Sequence, residues 1–142
     1  MKIYLAASLS EEHRQDMYEA LKILREVQGL DVYAPVEHKI PMDWDYPNNE
    51  WGLMVFSQDL GAIQNSDLIV ALSYGRENSG GIAWEMGYSY GIGKKVLLVE
   101  MTDHRQSLMM ANGRYASVKG LSGLKEYDFK KLPKTRTETE QK

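Results

Sequence analysis

The sequence predicts a doubly wound α/β fold, with a mostly parallel sheet of about five strands and flanking helices. Three observations carry this. Lys2-Ile3-Tyr4-Leu5-Ala6-Ala7 and Asp31-Val32-Tyr33-Ala34 are strand-like runs on either side of an amphipathic segment. Strand, helix and strand at that spacing form a βαβ unit, which implies parallel strands and a right-handed crossover. After its leading acid, Asp67-Leu68-Ile69-Val70-Ala71-Leu72 is apolar throughout, as a strand covered on both faces is. Lys95-Val96-Leu97-Leu98-Val99 repeats that pattern after a further helical run.

The elements follow in order. Ser8-Leu9-Ser10-Glu11 has capping-box spacing, with Ser8 as N-cap. The helix behind it carries Met17, Ala20, Leu21, Leu24 and Val27 on one stripe and stops at Gly29. Pro35 closes the second strand. Residues 36–49 form a long loop with Pro41, Pro47, Trp44 and Tyr46; loops of that length in small domains are often lids or binding loops. Helical periodicity returns from 49 to 63, with Trp51, Met54, Val55 and Leu60 inward. A polar loop over 73–81 precedes a helix from about 82 to 91. A short helix is expected over 106–111, stopped by Asn112-Gly113, and a last strand over 115–118. Residues 1–130 make one domain, and 131–142 a polar, flexible tail.

Composition narrows the function. The 142 residues are 43% hydrophobic and 26% charged, an ordinary globular balance. A net charge of −3 argues against a nucleic-acid polymer as partner. Cysteine is absent, so there is no disulfide framework or thiolate metal site. His13, His38 and His104 have no metal-ligand spacing. No apolar run approaches a membrane span, and the expected location is cytoplasmic. A dinucleotide fingerprint is missing after the first strand.

The stretch Ser79-Gly80-Gly81-Ile82-Ala83-Trp84-Glu85-Met86-Gly87-Tyr88 concentrates the chemistry. Glycines at a helix start point backbone N–H groups at an anion. Glu85, between Trp84 and Met86, loses hydration and needs a partner or a task. In a doubly wound sheet ligands sit beyond the carboxyl ends of the strands, and this stretch lies on that edge.

Together with Lys2-Ile3-Tyr4-Leu5-Ala6, Asp59-Leu60, Asp67, Gly93-Lys94 and Leu108-Met109, the stretch resembles the nucleoside 2-deoxyribosyltransferase family over roughly 2–133. The resemblance implies a flavodoxin-like fold, no metal and no organic cofactor. It also implies active sites shared between subunits of a homodimer or higher oligomer. Carried over by position, it makes Glu85 the nucleophile and Asp67 an acid close to it. Tyr4 is then the tyrosine whose hydroxyl touches the nucleophilic carboxylate.

Departures from the transferase pattern point to a sister branch. The family's Asp six residues before the nucleophile is Ser79 here. Its Asn before Leu-Met is Ser107, and its base-binding Gln is Lys39, after Glu37-His38. Serines at Ser8, Ser79 and Ser107 resemble the 2′-deoxynucleoside 5′-monophosphate N-hydrolases, where they bind the 5′-phosphate. A carboxylate at 79 would repel that dianion; a serine with the Gly80 and Gly81 amides would accept it. That branch's arginine two residues after the first serine is Ser10 here. His38, Lys39, Trp44 and Met109 are base-binding candidates. The resemblance thus implies cleavage of a deoxynucleotide N-glycosidic bond through Glu85, with base exchange on deoxynucleosides as the alternative. A non-catalytic nucleotide-binding module is a third reading.

Overall fold

Side-chain parity along five buried strands decides what this sheet presents to each layer of helices. The computed structural model describes residues 1–40, 48–77 and 80–137. The strands are β1 (Lys2–Ala6), β2 (Asp31–Tyr33), β3 (Leu68–Ser73), β4 (Lys95–Glu100) and β5 (Ala116–Lys119). They pair in the order β2-β1-β3-β4-β5, every pair parallel, so the sheet is wholly parallel. The helices are α1 (Arg14–Lys22), α2 (Asn48–Gln64), α3 (Gly80–Gly91), α4 (Leu108–Gly113) and α5 (Gly120–Glu126).

Successive strand residues point to opposite faces. Ile3, Leu5, Leu68, Val70, Leu72, Leu97 and Val99 meet Met17, Leu21, Leu24 and Leu124 on the α1 and α5 side. Tyr4, Ala6, Ile69, Ala71, Val96 and Leu98 meet Ile63, Ile82, Met86 and Met110 on the α2, α3 and α4 side. Tyr4 is one step out of phase with Ile3 and Leu5, and that alone turns it toward α3. Each of these buried aliphatic side chains contributes about 1.5–3 kcal/mol.

Several local expectations are corrected. Ser8 does not cap α1: the helix begins at Arg14 with His13 as N-cap, and Ser8 Oγ instead accepts from Ser10 N at 3.2 Å. Val27 is exposed, because a wide π-turn over Ile23–Val27 rotates the stripe after Leu24. Gly29, at φ +67°, is the stop expected. Met54 is exposed, and Ile63 carries the buried contact of α2. Helix α5 was not expected, since Gly120 and Gly123 lower helix propensity; Gly123 is there because a Cβ would lie 2.9 Å from Val118 Cβ. Residues 132–137, assigned to a flexible tail, run along the outer edge of β5. Ser117 N donates to Thr135 O at 2.8 Å, and the Tyr115 and Tyr127 hydroxyls donate to Leu132 O and Pro133 O.

Candidate active site

The candidate site is a cleft of about 330 Å³ between α2 and α3, lined by Phe56, Asp59, Leu60, Ile63, Gly81, Trp84 and Glu85. The two helices supply it by rotation. Phe56, Asp59, Leu60 and Ile63 fall at i, i+3, i+4 and i+7 of α2, one helical face. Gly81, Trp84 and Glu85 do the same at the start of α3. Trp84 packs edge-on against Phe56 at 5.3 Å and stacks on Tyr88 at 5.5 Å, giving the cleft an aromatic wall.

Burial pushes the Glu85 carboxyl up to about 7; the Tyr4 hydroxyl opposes the rise and the charge of Asp59 adds to it. The Tyr4 phenol is raised by burial first and then by Glu85. Tyr4 influences Glu85 as a hydrogen-bond donor does, yet among the described residues neither Tyr4 Oη nor Glu85 Oε2 has a partner of full hydrogen-bond geometry. The contact is close but open, as catalytic contacts often are before substrate tightens them. Asp59 is raised by burial, with His38 opposing. Glu85 and the half-buried Asp59, both raised by burial beside a phenol, form a pair able to share a proton.

An aromatic column connects this pair to the surface. Tyr4 stacks on Tyr33 at 5.8 Å, and Tyr33 on His38 at 4.2 Å. Gln58 Nε2 holds the column by donating to Tyr33 Oη and His38 O, each at 3.0 Å. The loop bearing His38 is anchored by Arg25, whose guanidinium donates to both Glu37 carboxylate oxygens; that bond holds the Glu37 carboxyl below its usual range. Glu37 is therefore an anchor, and His38 the residue it positions.

Asp67 requires a correction. It precedes β3, and its Oδ2 accepts from Lys2 N at 2.8 Å while its own N–H donates to Lys2 O. That places it at the amino edge of the sheet, away from the carboxyl edge where α3 begins. The acid beside Glu85 is Asp59. The signal was present in the Asp59-Leu60 pair and the helical spacing from Phe56 to Ile63.

The remaining candidates divide by place. Gly80 and Gly81 open α3, and Gly81 lines the Glu85 cleft. Ser8 is half-buried in the loop after β1. Lys39 is exposed beside His38. Ser107 caps α4, accepting from Met110 N at 3.3 Å. Ser107 and Met109 line a different cleft of about 360 Å³ with Ala83, Met86, Gly87 and Tyr90, on the other flank of α3. Within one chain they do not line the Glu85 cleft, and Met109 is 78% exposed. Ser79 and Trp44, with the rest of the expected loop at 41–47, lie outside the described residues. A larger hollow of about 550 Å³ beside β2 contains neither Glu85 nor Asp59, so size does not mark the chemistry here. No group of three metal-ligating side chains occurs among the described residues, and no described helix is long and apolar enough to cross a membrane.

Comparison with known proteins bears on this geometry. The family model for nucleoside 2-deoxyribosyltransferase matches residues 3–132. A nucleoside deoxyribosyltransferase of Lactobacillus leichmannii is 28% identical, covering 91% of this chain and 90% of its own. One from Limosilactobacillus fermentum is 29% identical over 90% and 86%. The solved 2-deoxyribosyltransferase of Bacillus psychrosaccharolyticus superposes with a TM-score of 0.85 at 32% identity, over 95% of this chain and 98% of that one. A CMP N-glycosidase of Clostridium botulinum shares the fold, with a TM-score of 0.61 at 19% identity, over 89% and 100%.

Proposed function

The chain belongs to the nucleoside 2-deoxyribosyltransferase family, and on that premise we propose that it moves a 2-deoxyribosyl group between nucleobases through Glu85. The sequence placed nucleotide hydrolysis first; the names of the relatives favour the transferase kept as its alternative. The observation that carries the proposal is the pair of Glu85 and Asp59 in one cleft, with Tyr4 beneath.

The reactive form of the pair holds one proton. In the reactive arrangement Asp59 carries it and Glu85 is charged. A Glu85 carboxylate oxygen attacks C1′ of the sugar, and the C1′–N bond breaks with its electron pair passing to the base. Asp59 gives the departing base its proton, and the sugar remains as an ester of Glu85. A ring nitrogen of a second base then attacks C1′, Glu85 leaves as carboxylate, and the proton returns to Asp59. Lack of a 2-hydroxyl lowers the cost of the oxocarbenium-like transition state. Tyr4 steadies the carboxylate as it forms and departs. Trp84 and Phe56 offer flat apolar surface to a base, and Ser107 and Met109 of a neighbouring subunit complete the site.

A second reading replaces the acceptor base by water and adds a 5′-phosphate. It is favoured by Ser8, Ser79 and Ser107, which resemble the phosphate-binding serines of the hydrolase branch, Ser79 standing where transferases carry the Asp that holds the sugar 5′-hydroxyl. Product analysis by chromatography separates the two. Base exchange on deoxynucleosides given a free acceptor base is the expected result. Deoxyribose 5-phosphate released from deoxynucleoside monophosphates, with no exchange on nucleosides, would replace it by the hydrolase.

A further inference from the structure

Four of the six arginines in the chain line one cleft of about 480 Å³. Arg76 comes from the turn after β3, Arg105 from the approach to α4, Arg114 from the approach to β5, and Arg136 from the segment along β5. Gln106 and Asn112 are also in its wall, and among the described residues no aspartate or glutamate lines it. It shares no residue with the Glu85 cleft. The other two arginines lie elsewhere, Arg25 against Glu37 and Arg14 against Leu9 O.

This gathering is not general basicity, because the chain carries a net charge of −3. Guanidinium groups of like charge lining one cleft favour a bound anion between them. Arg114 is 5% exposed and oriented by Nε donating to Ser117 Oγ at 3.1 Å. Gln106 is 3% exposed, and its Oε1 accepts from Ser73 Oγ at 2.6 Å. That bond fixes the amide, and leaves Gln106 Nε2 a buried donor without a partner among the described residues, in the wall that carries the arginines. Planar guanidinium forks fit phosphate oxygens two at a time.

We infer that this cleft is a second binding site, separate from the Glu85 cleft, for a phosphate-type polyanion. The inference does not depend on the proposed transfer reaction. Calorimetric titration of the full chain with inorganic pyrophosphate at low ionic strength tests it, beside a parallel titration with a deoxynucleoside 5′-diphosphate to tell a free anion from the phosphate end of a nucleotide. Binding of either is expected, weakening with salt. The Arg76→Gln/Arg105→Gln variant, altered only at exposed positions, should bind at least tenfold more weakly and melt no lower than the parent. Arg105→Lys, which keeps the charge and loses the fork, should fall between. Glu85→Gln should bind as the parent does. Three outcomes would overturn the inference: no binding, binding indifferent to the arginines, or binding tightened by Glu85→Gln, which would place the anion in the catalytic cleft.

Discussion

Glu85 and Asp59 illustrate how one apolar wall and one neighbouring charge set the roles of two acids. Glu85 titrates near 7 because burial penalises its charge and Asp59 adds repulsion that the Tyr4 hydroxyl only partly offsets. If one shared proton is the active form, the pH–rate profile is a bell whose alkaline limb falls near 7. Tyr4→Phe removes the group that favours the Glu85 charge, so that limb should move to higher pH, with the fold intact. In Asp59→Asn the alkaline fall should disappear. The residual rate, about a hundredfold lower for loss of the acid, should rise with pH as Glu85 ionises below about 7. Asp67→Asn should change the rate by less than about twofold, as exposed substitutions away from special features do. Steady-state rates from pH 5 to 9 for the three variants check these outcomes, and a large loss in Asp67→Asn would return that residue to the mechanism.

Among the elements, the turn between β3 and α3 sets where Gly80 and Gly81 lie. Gly75 stands in it at φ +70°, and a Cβ there would lie 2.6 Å from His104 Cβ. Gly75→Ala should therefore cost about 2 kcal/mol or more, from strain and displacement of the turn. Urea denaturation measures it, and activity should fall as the start of α3 shifts. A cost below about 0.5 kcal/mol would show that the His104 segment yields freely. Helix α2 contributes differently: its Phe56, Asp59, Leu60 and Ile63 face belongs to the site as much as to the core. This explains why reading it as an inner stripe through Met54 failed. A helix that lines a cleft keeps part of its apolar face open.

For the whole molecule, Glu85 couples function to stability. Its folded pKa of about 7 lies above the ordinary 4.5, so between those values the folded state binds more protons than the unfolded chain. Its stabilising contribution is complete below about 4.5 and is lost as pH rises to 7, a change of about 3 kcal/mol. Glu85→Gln should lack that loss. It should be inactive, match the parent near pH 5, and exceed it by up to about 3 kcal/mol at pH 8 in urea denaturation. Equal stability at both pH values would mean that the carboxylate is already well solvated.

The strand sequence and the parallel sheet were legible in the chain itself, and Glu85 stood out there as the candidate reactive group. Apolar runs, a helical period between them and a glutamate beyond two glycines are local patterns, and covered parallel strands leave little alternative. Tyr4 came from the family resemblance, and its parity in β1 turns it toward α3. The partner of Glu85 was not legible in that way. Asp59 and Asp67 lie eight residues apart on either side of a helix end, and proximity to Glu85 depends on how α2 turns over the sheet and which edge β3 starts from. The arginine cleft was equally hidden, because its walls come from four segments separated by up to 60 residues. Local pattern determined the elements and the reactive group; the packing of helices on the sheet decided which charges meet, since charge proximity is a property of three-dimensional distance.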